Sequence, residues 1–82
     1  MHPASTDPLP PATRTPALVI ANGQPIEIQL PCSIEAFLVA QNLQPRSVVV
    51  ECNGEAMTPS EFPHRRLRAG DRLEIVKIVA GG

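Results

Sequence analysis

Asparagine–glycine occurs twice in this chain, at Asn22-Gly23 and Asn53-Gly54, and each pair stands between runs of β-favouring residues. A two-residue hairpin of type I′ needs positive φ at both central positions, which Asn and Gly supply at the lowest steric cost. Before the first pair stands Ala17-Leu18-Val19-Ile20-Ala21, a continuous apolar run of the kind found in strands buried on both faces. After it, Gln24 to Leu30 alternates, with Ile26, Ile28 and Leu30 on one face and Glu27 and Gln29 on the other. Pro25 cannot donate to a ladder, so it marks this second strand as an edge. The second Asn-Gly joins a strand over Ser47–Cys52, with its Val48-Val49-Val50 core, to a short return strand at Glu55–Met57.

Between the hairpins lies one helical segment. Ser33 is a good N-cap, Ile34, Phe37 and Leu38 recur at helical spacing, and Glu35 complements the dipole in the first turn. The spacing predicts a helix over Ile34–Asn42, stopped before Pro45, with Phe37 and Leu38 at the centre of the core. Farther on, Thr58-Pro59-Ser60-Glu61 reads as a capping box opening a short helical turn, with Phe62 plugging it to the core. Ala69-Gly70-Asp71 then turns the chain into a last strand from Arg72 to about Ile78. Strand, strand, helix, strand, short strand, helical turn, strand is an α+β order. It predicts a mixed four- to five-stranded sheet crossed by one helix, the ubiquitin-like β-grasp, in which the last strand pairs with the first.

Size and composition narrow the function. Residues 1–16 hold five of the ten prolines and read as a flexible leader, leaving residues 17–82 of the 82 for the folded domain. A core this small is viable but leaves little room for a deep substrate pocket, which favours a carrier or binding module over an enzyme. A net charge of −1 and only two aromatic rings, Phe37 and Phe62, argue against nucleic acid as partner. His64, Arg65, Arg66, Arg68 and Arg72 cluster, as a solvated loop face or as a dock for an acidic partner. Cys32 and Cys52 lack zinc spacing, so no metal is expected; both read as small apolar residues, with a disulfide between them as the alternative. The absence of an apolar span or signal-like segment gives the expectation of a soluble cytoplasmic protein without a membrane role, a monomer when alone. Val19, Val49 and Val76 read as out of phase with the core-facing positions of their strands. They therefore form either an apolar docking stripe on the open sheet face or valines placed for propensity alone.

The chain ends Val79-Ala80-Gly81-Gly82. Two residues without Cβ make a thin ribbon able to enter a narrow active site and to present the open α-carboxylate of Gly82 there. A carboxylate can attack the α-phosphate of ATP, and the resulting acyl-adenylate accepts a sulfur or nitrogen nucleophile.

Val48-Val49-Val50-Glu51-Cys52-Asn53-Gly54-Glu55, Leu67-Arg68-Ala69-Gly70-Asp71-Arg72-Leu73-Glu74-Ile75-Val76 and the terminal Val79-Ala80-Gly81-Gly82, in that order, resemble the ThiS family of sulfur carriers of thiamine biosynthesis. The resemblance runs from Leu18 to Gly82. It implies that an E1-like (ThiF-like) enzyme adenylates Gly82 with ATP, that a donor such as a cysteine desulfurase supplies sulfur to form a thiocarboxylate, and that thiazole synthase (ThiG-like) consumes it. ATP belongs to the activating partner, and no cofactor is expected on the carrier itself. It also implies that Val79, Ala80 and Gly81 are the threaded tail. A MoaD-like carrier for molybdopterin, a carrier for another sulfur pathway, and a ubiquitin-like modifier of lysines share the same fold and end, and a plain β-grasp interaction domain is the remaining alternative.

Overall fold

The computed structural model describes residues 14–78. Its elements follow in the order β1 (Thr15–Ala21), β2 (Gln24–Leu30), α1 (Ile34–Ala40), a 3₁₀ turn (Pro45–Ser47), β3 (Val48–Cys52), β4 (Glu55–Met57), a second 3₁₀ turn (Pro59–Glu61) and β5 (Arg72–Lys77). The five strands make one sheet in the order β2-β1-β5-β3-β4. β5 runs parallel to β1 and antiparallel to β3, while β1–β2 and β3–β4 are antiparallel hairpins. This is the β-grasp: one helix laid across one face of a mixed sheet. β2 and β4 are its edges, in keeping with Pro25 near the start of β2.

Both Asn-Gly turns adopt the conformation their residues favour, with φ of 51° and 82° at Asn22 and Gly23 and 55° and 85° at Asn53 and Gly54. α1 begins at Ser33, whose hydroxyl accepts from Ala36 N–H at 3.0 Å. It is two residues shorter than the Ile34–Asn42 its spacing predicts. Asn42 takes φ 60°, and its N–H donates to Val39 O while Leu43 N–H donates to Leu38 O. That pair of bonds is a Schellman motif, which satisfies the last carbonyls and turns the chain before Pro45 is reached. β1 starts at Thr15, where Thr15 and Pro16 pair with Leu30 and Gln29, so the folded part begins two residues ahead of the expected boundary at Ala17.

Ile34, Phe37 and Leu38 form the buried face of α1. They pack with Val19 and Ala21 of β1, Val48, Val50 and Cys52 of β3, Met57, Leu73, and the two loop anchors Phe62 and Leu67. Among the described residues no polar or charged side chain is buried. With a core this dry, large-to-small changes there cost on the order of 2–5 kcal/mol, a large part of what a small domain has.

The long link between β4 and β5 is held as firmly as a strand. Glu61 accepts from both the N–H and the hydroxyl of Thr58, at 2.9 and 2.8 Å, closing the capping box at the second 3₁₀ turn. Ile34 N–H donates to Arg65 O and Leu67 N–H to Cys32 O, which stitches residues 65–67 to the start of α1.

Candidate functional site

β5 is the element that delivers the C-terminal segment, and it lies at the centre of the sheet. Its hydrogen bonds to β1 are extended by side chains from the two hairpin turns. Asn22 N–H donates to Leu73 O at 2.8 Å, Asn22 Nδ2 donates to Ile75 O at 3.0 Å, and Asn22 Oδ1 accepts from Ile75 N–H at 2.7 Å. On the other side Asn53 N–H donates to Arg72 O at 2.7 Å, and Asn53 Oδ1 accepts from Arg72 N–H at 3.0 Å. Asn53 Nδ2 reaches Asp71 Oδ1 at 3.0 Å. Each turn amide thus replaces a missing peptide unit beside β5.

The last described rung of the ladder is Ile78 N–H to Ser47 O at 2.8 Å. Around it a concavity of ≈ 300 Å³ is lined by Asn42, Leu43, Gln44, Ser47, Val48, Lys77 and Ile78. The expected tail residues Val79, Ala80, Gly81 and Gly82 lie outside the described residues.

The open face of the sheet carries two of the three valines expected there. Val49 and Val76 are directly paired across β3 and β5 and are 48% and 61% exposed. Val19 is a correction: it is fully buried, at 0%. The two-residue turn sets Ala21 opposite Gln24 and therefore Val19 opposite Ile26, so Val19 shares the helix-facing side of Ile26 and Ile28. That register was readable from Asn22-Gly23 together with the β2 alternation. In consequence Leu18, 53% exposed, is on the open face, and the continuous apolar run of β1 is covered on one side only. Ile78, in phase with Val76, is 55% exposed and extends the Val49–Val76 patch toward the chain end. Arg72, Glu74 and Glu51 lie between that patch and Leu18. The open face thus has two separate apolar areas, and the one formed by Val49, Val76 and Ile78 adjoins the tail.

Neither cysteine offers a second reactive centre. Both are free thiols, Cys52 buried and Cys32 half-buried. Burial pushes the Cys32 thiol up, and burial with the nearby Asp71 and Glu55 carboxylates pushes Cys52 up against the opposing pull of Arg65. Both are protonated at neutral pH and are poor nucleophiles. Among the described residues no group of three or more His, Cys, Asp or Glu converges on a possible metal position, and no helix is long and apolar enough to cross a membrane.

The family model that matches this sequence is that of the ThiS family, over residues 19–82. No curated protein matches significantly. Among solved structures, the crystal structure of the thiamine biosynthesis protein ThiS from Geobacter metallireducens superposes with a TM-score of 0.68 at 26% identity, covering 79% of this chain and 99% of that one. The solution NMR structure of a thiamine biosynthesis protein from the same organism gives 0.66 at 26% identity, with 79% and 87% covered. With the β-grasp order in place and the family match extending from β1 to the terminal Gly-Gly, the chain belongs to the ThiS family, the small sulfur carriers of thiamine biosynthesis.

Proposed function

We propose that this protein carries sulfur on its C-terminal carboxylate. A Gly82 oxygen attacks the α-phosphate of ATP inside an E1-like adenylating enzyme and pyrophosphate leaves. Sulfur from a donor such as a cysteine desulfurase then attacks the acyl carbon as a persulfide, AMP leaves, and a thiol reduces the resulting acyl disulfide to free the thiocarboxylate. Thiazole synthase takes that sulfur for the thiazole ring, an oxygen from water or from the acceptor replaces it, and the carrier returns with its carboxylate restored. The chain is a co-substrate in this scheme, ATP is bound by the activating partner, and Val79, Ala80 and Gly81 are the segment threaded into each active site.

The observation that carries this reading is that the family match reaches Gly82 itself, on a chain whose preceding strand is locked in the middle of the sheet. A central strand fixes the root of the tail, so docking of the domain positions its end. The exposed Val49, Val76 and Ile78 beside that root supply apolar area for the activating enzyme.

The test is to incubate the full chain with ATP, a ThiF-like enzyme and a sulfide source, then record the intact mass with C-terminal fragmentation. The expected product gains the mass of one oxygen-to-sulfur exchange, located on Gly82. Localisation separates it from oxidation of a methionine or cysteine, which adds nearly the same mass. A chain left unmodified by a panel of active adenylating enzymes would sink the carrier reading.

A further inference from the structure

Asn22 and Asn53 each precede a glycine, the neighbour that leaves asparagine most open to deamidation. The main-chain nitrogen of the following residue attacks the side-chain carbonyl carbon, ammonia leaves, and a five-membered imide forms. Water then opens the ring at either carbonyl, giving aspartate or isoaspartate. Glycine favours the attack because no Cβ shields its nitrogen. The third asparagine, Asn42, precedes Leu43, whose side chain does shield it.

On the glycine side both turns are ready for this reaction. Asn22, Gly23, Asn53 and Gly54 are all exposed, so water and base reach them. Among the described residues neither Gly23 nor Gly54 donates its N–H to a backbone carbonyl. Nothing lies within 4 Å of where a Cβ on either glycine would stand.

The asparagine side is held. Asn22 Oδ1 accepts from Ile75 N–H at 2.7 Å while Nδ2 donates to Ile75 O at 3.0 Å, which clamps the amide to β5 at both atoms. Asn53 Oδ1 accepts from Arg72 N–H at 3.0 Å, and its Nδ2 donates to Asp71 Oδ1 at 3.0 Å. Attack requires Cγ to swing toward the glycine nitrogen, and each clamp must break first. We propose that Asn22-Gly23 and Asn53-Gly54 are latent modification sites. Their bonds to β5 and to Asp71 just before it keep them unreactive, and they convert to aspartate or isoaspartate in molecules where that strand has let go.

The products do not fit back. Aspartate at position 22 sets a carboxylate oxygen, an acceptor only, against Ile75 O, where the amide had a donor. Aspartate at position 53 sets a second carboxylate against Asp71, so like charges meet. Isoaspartate adds a methylene to the main chain inside a two-residue turn, and so disturbs the pairing of Ala21 with Gln24 or of Cys52 with Glu55. One opening of β5 that lasts until the imide closes therefore leaves a covalent mark that weakens the next closure.

The full chain is held at mildly alkaline pH, with and without guanidinium chloride, and sampled over days. Trypsin separates residues 15–46, with Asn22 and Asn42, from residues 47–65, with Asn53. Fragment masses locate each amide-to-acid exchange. In denaturant both Asn-Gly sites are expected to convert while Asn42 stays intact; in the folded chain both convert more than about tenfold slower. Asp71→Ala removes the acceptor of Asn53 Nδ2 and leaves the Asn22 clamp in place. Folded by circular dichroism, it is expected to convert Asn53 about fivefold faster than wild type with Asn22 unchanged. Asn22→Asp, one product of conversion, is expected to melt about 4–8 °C below wild type. Wild type that converts within about twofold of its denatured rate would overturn the inference, whether or not the variant folds. So would an Asp71→Ala chain that raises both sites equally or neither, and so would an unchanged melting point for Asn22→Asp.

Discussion

Asn22 and Asn53 hold equivalent places in two hairpins, and both do more than make a turn. Positive φ is the reason asparagine suits the position, yet the side-chain amide also pairs with β5, in Asn22 through both its oxygen and its nitrogen to Ile75. The two roles separate by substitution. Asn22→Gly keeps the left-handed conformation and removes two hydrogen bonds, which is expected to cost about 1–3 kcal/mol. Asn22→Ala removes the same bonds and adds left-handed strain of roughly 1 kcal/mol or more. Urea unfolding of the two variants gives the comparison, and equal midpoints would show that strain contributes nothing here.

At the scale of elements, the second 3₁₀ turn is the joint that fixes the arginine loop, and its stability titrates. Hydrogen bonds from the backbone and hydroxyl of Thr58 hold the Glu61 carboxyl below the usual glutamate range, with a further downward pull from Arg65. A lowered folded pKa means that the contribution is fully present above the unfolded value, about 4.3, and disappears as pH falls through the folded one. Glu61→Gln lacks that titration. Thermal melts across acid pH are therefore expected to show wild type above Glu61→Gln near neutrality and the two converging in acid; a gap that stays constant with pH would contradict the assignment. The Schellman end of α1 illustrates the same scale from the other side. The apolar spacing continues to Leu43, but Asn42 and the bonds to Leu38 and Val39 end the helix earlier.

For the whole molecule, the question is which valines meet a partner and which meet the core. Val76→Asp places a charge on the open face beside the tail, so the fold is expected to lose no more than about 1 kcal/mol. Under the proposed carrier function, affinity for an adenylating enzyme is expected to fall on the order of tenfold or more, since a desolvated unpaired charge is costly at an interface. Val19→Asp puts the same charge beneath α1, where no partner is available, and is expected to unfold the domain. Calorimetric titration and melting curves on the two variants separate binding from folding. A Val76→Asp chain that binds as wild type would remove this patch from the interface.

The edge position of β2, both hairpins, the helix start, the capping box and the Gly-Gly end were all legible in the sequence, because each is written in a few adjacent residues. The pairing of the last strand with the first followed from the two apolar runs that had to be covered. The burial of Val19 was legible only by combining the turn with the alternation across it. Other features had no local signal. Nothing near Asn22 names Ile75 as its partner, 53 positions away, and nothing in residues 64–72 shows that three arginines share one concavity with Asn53. Turn geometry and hydrophobic period are properties of short segments, so the sequence by itself determined the elements and their order along the chain, together with its Gly-Gly end. The pairing of β5 between β1 and β3 brings distant residues side by side, and only that tertiary step decided which face is open, where the apolar patch meets the tail and where the charges gather.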